Sequence, residues 1–198
     1  LSTIFEAVRD VKSLSPLTLN SYFVPVNENV RVLCSTKRPE LAEQIKMTSF
    51  TDMVHMARSL FRYILIDLPS AFNPISVTAA DIADKVYLMA MNNDGFEITH
   101  MQHALKIFHG TWPDNYKEKV RVVFTRVTPC TNERKSELEH ILRYPITAVM
   151  PNEYMLVSSA ANNGRMAVDI KPESDLSYNI DRLADFIRGH SDFRWESS

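Results

Sequence analysis

The stretch Tyr63–Pro74, YILIDLPSAFNP, decides how this chain is read. Tyr63 to Ile66 are four strand-favouring residues that run straight into Asp67. Leu68-Pro69 then stops the strand, because proline cannot donate to a ladder and bars the residue before it from the helical region. The pattern predicts a buried strand with a carboxylate at its C-terminal tip. In open α/β sheets ligands bind outside such tips, and an Asp there commonly holds Mg²⁺, directly or through water, beside the phosphates of a nucleotide. An Asp at a strand boundary also caps the turn that follows, and the stretch alone does not choose between the two roles.

Outward from this stretch, strands alternate with helices. Val30–Cys34 (VRVLC), Lys85–Met91 (KVYLMAM), Val120–Arg126 (VRVVFTR) and Ile146–Met150 read as strands, the last closed by Pro151. Helical spacing marks Leu1–Val8, with Ser2 or Thr3 as cap, and a short helix from Pro39 to Ile45. It also marks a stripe through Phe50, Met53, Val54, Ala57, Leu60 and Phe61, which the spacing assigns to the core. Further helices are expected at Ser76–Ile82, Glu97–Phe108 (ended by Gly110 and Pro113), Glu133–Leu142 and Leu176–Ile187. Asn92-Asn93-Asp94-Gly95 reads as a turn, and Ser13–Asn29 as irregular, broken by Pro16 and Pro25. The alternation predicts one α/β domain over residues 1–198, with a mostly parallel sheet and helices on both faces.

Composition narrows the function classes. The 198 residues carry 22 basic and 24 acidic side chains, net charge -2, with both signs interleaved. No one-signed patch is visible, so nucleic acid is not expected as partner. Cys34 and Cys130 lack any CxxC spacing, which argues against zinc or a redox pair and fits reduced thiols in the cytoplasm. No apolar run approaches the roughly eighteen residues of a membrane span. Near the C-terminus, Phe186, Ile187, Phe193 and Trp195 alternate with Arg182, Arg188 and Arg194, but Asp185, Asp192 and Glu196 offset those cations. A closing helix with a loose tail is therefore expected rather than a membrane anchor. His100, His103 and His109 have no matched carboxylate or cysteine set, and no GxSxG elbow occurs. No GxGxxG or GxxxxGK[ST] occurs either, so nothing here is built to wrap a phosphate in backbone amides.

Several segments together resemble the ParA/MinD family of deviant P-loop ATPases, and most closely its CpaE/TadZ branch of Flp (tight-adherence) pilus assembly. They are Arg38–Glu43 (RPELAE), Phe61–Pro69 (FRYILIDLP), Phe72-Asn73-Pro74 and Ala83–Leu88 (ADKVYL). Pro145-Ile146, Met150-Pro151-Asn152, Ala160–Arg165 (AANNGR) and Pro172-Glu173-Ser174 continue the likeness. The resemblance implies a SIMIBI-type P-loop NTPase fold, ATP and Mg²⁺ as cofactors, and a homodimer that switches with nucleotide. It implies that Asp67 is the Walker B carboxylate, holding Mg²⁺ through water, and that Leu68 to Asn73, beginning Leu68-Pro69, sense the γ-phosphate. Thr125-Arg126 would stand where the family has Asn-Arg beside the adenine, and Pro151-Asn152 would close over the base from the other side. The family's glycine-rich loop, its lysines and the central strand before them have no counterpart here. The chain thus resembles the family's C-terminal portion, incomplete at its N-terminus and lacking a strand between those at Tyr63 and Lys85. ATP and Mg²⁺ are expected to bind only with that upstream segment, no catalytic residue lies in this chain, and alone it is expected to be inactive. Pilus-assembly or secretion-machinery proteins are the implied partners, recruiting a cytoplasmic protein to the cell pole or inner membrane. A scaffold that keeps the fold without ATPase chemistry is the alternative.

Overall fold

Local caps and apolar spacing account for most of the regular elements. A computed structural model describes residues 2–91 and 95–189, which fall into two compact units, one within residues 1–83 and the other within 84–198.

In the first unit, α1 (Ile4–Asp10) opens with a capping box: the Thr3 hydroxyl accepts from the Phe5 amide, and the Glu6 carboxylate accepts the Thr3 amide at 2.8 Å. A 3-10 turn (Val11–Ser13) leads to α2 (Pro16–Asn20), where Ser15 caps and Pro16 presets the first turn. The strands β1 (Val24–Pro25) and β2 (Arg31–Val32) pair antiparallel, with Val24 opposite Val32. Asn27 shapes their turn, its Oδ1 accepting the amides of Asn29 and Val30 at 2.9 and 2.8 Å. Then come α3 (Pro39–Ala42), α4 (Met47–Ala57) and α5 (Pro74–Ile82). Asn73 caps α5 by accepting the Ser76 amide at 2.8 Å. Phe50, Met53, Val54 and Ala57 of α4 are buried against Ala7, Val8, Val11 and Leu19, as the stripe predicts.

The second unit runs β3 (Val86–Met91), α6 (Gly95–Thr111), α7 (Tyr116–Lys119), β4 (Val120–Val127), α8 (Asn132–Leu142) and β5 (Ile146–Pro151). It closes with α9 (Tyr154–Asn162), α10 (Ala167–Ile170) and α11 (Asp175–Ile187). Its sheet is parallel throughout, in the order β3-β4-β5. On one face Val123, Ala148 and Met150 pack with Leu176 and Leu183 of α11. Val122 and Phe124, of the opposite parity, are also fully buried. The helices α6 and α8 pack on each other and reach β3 and β5 respectively, so both sides of the sheet are covered. This is the parallel, helix-flanked α/β sheet that the sequence predicts. Below the start of β4, Tyr116 packs on Tyr144, and burial pushes the Tyr116 hydroxyl up to about 12.

Some expectations are corrected. Tyr63–Ile66 is not a buried strand: among the described residues no backbone group of 63–69 makes a hydrogen bond. Tyr63, Ile64 and Leu65 are 45, 36 and 87% exposed. Ile66 and Leu68 pack on the first unit's core, while Ile64 and Leu65 do not. Its composition favours a strand, but burial needs neighbours, and among the described residues it has no ladder partner. The expected strand Val30–Cys34 shrinks to Arg31–Val32 plus a parallel bridge from Cys34 to Thr3. Gly110 lies inside α6, not beyond it. The region 13–29, read as irregular, holds α2 and the hairpin. The helices α7, α9 and α10 were not expected. The predicted turn at Asn92–Gly95 falls mostly outside the described residues, as does the tail from His190 onward with Phe193, Arg194 and Trp195.

Candidate functional site

Parallel pairing brings the C-terminal ends of neighbouring strands to one edge of the sheet. The register sets Met91 beside Thr125 and Val127 beside Pro151, with a break in the β4–β5 ladder between Phe124 and Val127. At that break Arg126 takes a left-handed conformation, φ 56. Such a backbone costs an ordinary L residue about 1–2 kcal/mol and persists where the surroundings impose it, as functional edges do. It leaves the Arg126 side chain exposed, with no hydrogen bond or ion pair among the described residues.

Thr125 is placed differently. Its hydroxyl donates to the Ala90 carbonyl of β3 at 3.2 Å, so toward a ligand it offers only lone pairs. The exposed Asn152 amide follows Pro151 on the next strand end. Its neighbour Glu153 is anchored, accepting the Leu176 amide at 3.0 Å at the start of α11. The edge therefore presents an acceptor, a guanidinium and a carboxamide around the ends of two strands. That set suits a flat polar group with an anionic extension, and it includes no acid–base pair.

Asp67, Leu68 and Pro69 belong to the first unit. The Asp67 carboxylate is exposed and unpartnered among the described residues, and Pro69 is exposed beside it. Among the described residues no three His, Cys, Asp or Glu side chains are grouped to hold a metal, the helix α6 histidines included. A lone carboxylate does not fit a resident metal ion. It does fit Mg²⁺ arriving with a nucleotide, since Mg²⁺ takes one or two carboxylates and fills its octahedron with phosphate oxygens and water. The phosphate side has no cradle among the described residues: Gly110 is helical, and Gly164 and Gly189, φ 62 and 73, lie just past helix ends. Cys130 is not a reactive centre, because burial pushes its thiol up to about 11 and its Sγ lies 3.9 Å from the Val149 carbonyl.

The structure thus gathers Thr125, Arg126, Pro151 and Asn152 at one edge of the second unit. Sequence reasoning missed the Arg126 conformation and the bond from Thr125 to Ala90. Left-handed backbone is signalled locally by Gly or Asn, and neither occupies position 126.

No family model and no curated protein matches this sequence. Among solved structures, a ParA family ATPase from Chlorobium tepidum TLS superposes with a TM-score of 0.80 at 18% identity, covering 93% of this chain and 75% of that one. The chain has the fold of a ParA-type P-loop NTPase. Among the described residues no helix is long and apolar enough to cross a membrane.

Proposed function

We propose that this chain carries the metal-side carboxylate and the base-side edge of an ATP-dependent, dimerising switch of the ParA/MinD kind, and that within that family it serves pilus assembly as a CpaE/TadZ-type localisation factor. The observation that carries the nucleotide reading is the carboxyl edge of β4 and β5, where a strained, unpartnered Arg126 stands between Thr125 and Pro151-Asn152. The ParA-like fold and the DLPSAFNP and ADKVYL segments support it. In this reading Thr125 accepts from an amino-bearing base edge, Asn152 covers the base, and Arg126 lies against base or sugar. Asp67 receives Mg²⁺, which neutralises phosphate charge when bound. The sequence has no glycine-rich loop with lysine, so the phosphates are held by another segment or another chain. Nucleotide exchange then alternates states that recruit or release pilus-assembly partners at the pole or inner membrane.

Calorimetry on the protein as its gene encodes it tests the proposal. Asp67→Ala should weaken Mg²⁺-dependent ATP binding by about tenfold or more while leaving the fold unchanged. Thr125→Asn should sharpen preference for ATP over GTP, because a carboxamide pairs a donor with an acceptor. Affinity unchanged by Asp67→Ala, with and without Mg²⁺, would remove the metal-side role. One observation favours a second reading, a scaffold without nucleotide: among the described residues Asp67 has no partner that pre-orients it. ATP binding absent from the complete gene product would select that reading.

A further inference from the structure

We infer that Glu153 is a positioning residue for the base side of the site, a role that rests on the nucleotide reading. It ties the loop after β5 to the first turn of α11 and so fixes where the Asn152 carboxamide stands. Glu153 immediately precedes α9, where a short Ser, Thr, Asp or Asn would cap the helix, yet its side chain makes no capping bond there. The carboxylate turns instead to a residue 23 positions later in the chain, accepting the Leu176 amide at 3.0 Å. Leu176 is the second residue of α11, so its amide is one of the donors that no intrahelical carbonyl can serve. The Ser174 hydroxyl takes the Ser177 amide at 3.1 Å, and Glu153 takes that of Leu176. A carboxylate is also the favoured charge at the positive end of this 13-residue helix.

Asn152 is therefore held from both sides. Before it, Pro151 ends β5 opposite Val127 of β4. After it, Glu153 is bonded to Leu176, whose own side chain is buried with Val123, Ala148 and Met150 on the sheet. Asn152 between these anchors is exposed, and its carboxamide has no hydrogen bond among the described residues. A side chain without bonds of its own is aimed by its backbone, and here two anchors set the backbone. Cutting the anchor at Glu153 frees residues 152 and 153 while leaving the pairing of β4 with β5 in place. The loss should therefore fall on binding of the base and spare binding of the phosphates.

Calorimetry on the protein as its gene encodes it, in Mg²⁺, compares ATP with tripolyphosphate, which offers phosphates and no base. Glu153→Ala should weaken ATP binding about three- to tenfold, the worth of one well-placed hydrogen bond. Tripolyphosphate binding should stay within about twofold of the wild type. Glu153→Gln keeps an acceptor oxygen at the same reach and should restore ATP affinity to within about twofold. Asn152→Ala should also weaken ATP binding, and adding Glu153→Ala to it should bring no further loss, because the two residues act as one unit. In the same variants the Leu176 amide, followed by NMR, should exchange at least about tenfold faster in Glu153→Ala than in the wild type or Glu153→Gln. No ATP binding by the wild type would overturn the nucleotide reading and the inference with it. ATP binding that Glu153→Ala leaves unchanged, an equal loss for tripolyphosphate, no rescue by Glu153→Gln, additive losses in the double variant, or a Leu176 amide equally fast in all three proteins would each overturn the inference alone.

Discussion

Two stretches of this chain look alike as sequence and behave oppositely as structure. Tyr63–Asp67 and Val120–Arg126 are both short runs of strand-favouring residues that end on a polar side chain. In β4, hydrogen-bonded on both sides, Val122, Val123 and Phe124 are all 0% exposed. In 63–68 no backbone group is hydrogen-bonded among the described residues, and Tyr63, Ile64 and Leu65 are exposed. Propensity favours an extended backbone in both places, and neighbours alone turn it into a buried strand. The difference also separates two kinds of candidate site: β4 holds its terminal residues in an imposed geometry, whereas Asp67 sits at the end of a run with no ladder to hold it.

Substitutions should divide the same way. The largest effect is expected at Phe124, where alanine removes a fully buried ring from the middle strand and should cost about 3–5 kcal/mol in chemical denaturation. Next comes pH, acting where Tyr116 and Tyr144 support the start of β4 through the Tyr144 hydroxyl, which donates to the Val120 carbonyl at 3.1 Å. Burial raises the Tyr116 hydroxyl to about 12 in the folded chain, from 10.0, so the neutral form is the one folding favours. Stability from this group should be constant below pH 10 and lost as pH rises toward 12. Tyr116→Phe should reduce that alkaline loss in thermal melts at successive pH values. Burial raises the Tyr144 hydroxyl as well, so part of the loss should remain.

A smaller change is expected at Arg126. Glycine adopts the left-handed conformation without strain, so Arg126→Gly should raise stability by up to about 1 kcal/mol. In the gene-encoded protein the same change should weaken nucleotide binding. A loss of both stability and binding would mean that the side chain, not the backbone, holds the bend. The smallest effect is expected at Leu65, where alanine should alter monomer stability by less than about 0.5 kcal/mol, in contrast to Phe124. A cost of several kcal/mol at Leu65 would erase the distinction between the two stretches.

The sequence reveals those elements whose signals are local. Thr3 marks the start of the first helix and Pro39 that of a short later one, and Val120–Arg126 (VRVVFTR) marks a strand. A local signal also existed for α2, since Ser15-Pro16 followed by Thr18 is a cap with proline in the first turn. The carboxyl edge was legible as strand ends, through Thr125-Arg126 and Pro151-Asn152. What made it a specific surface was not: the ladder break, the left-handed Arg126 and the hydroxyl spent on Ala90 depend on partners distant in sequence. The burial of Tyr63–Ile66 was misread for the same reason. Its composition is that of an interior strand, but whether a strand is interior is decided by what lies beside it.

Hydrogen exchange followed by mass spectrometry reads that contrast directly. Amides of Val122 to Thr125 should be protected, because the β4 ladders are internal to the chain. Amides of residues 63–68 should exchange near their intrinsic rates. Protection of 63–68 comparable to that of β4 would mean the run already has an internal partner, and would contradict the account.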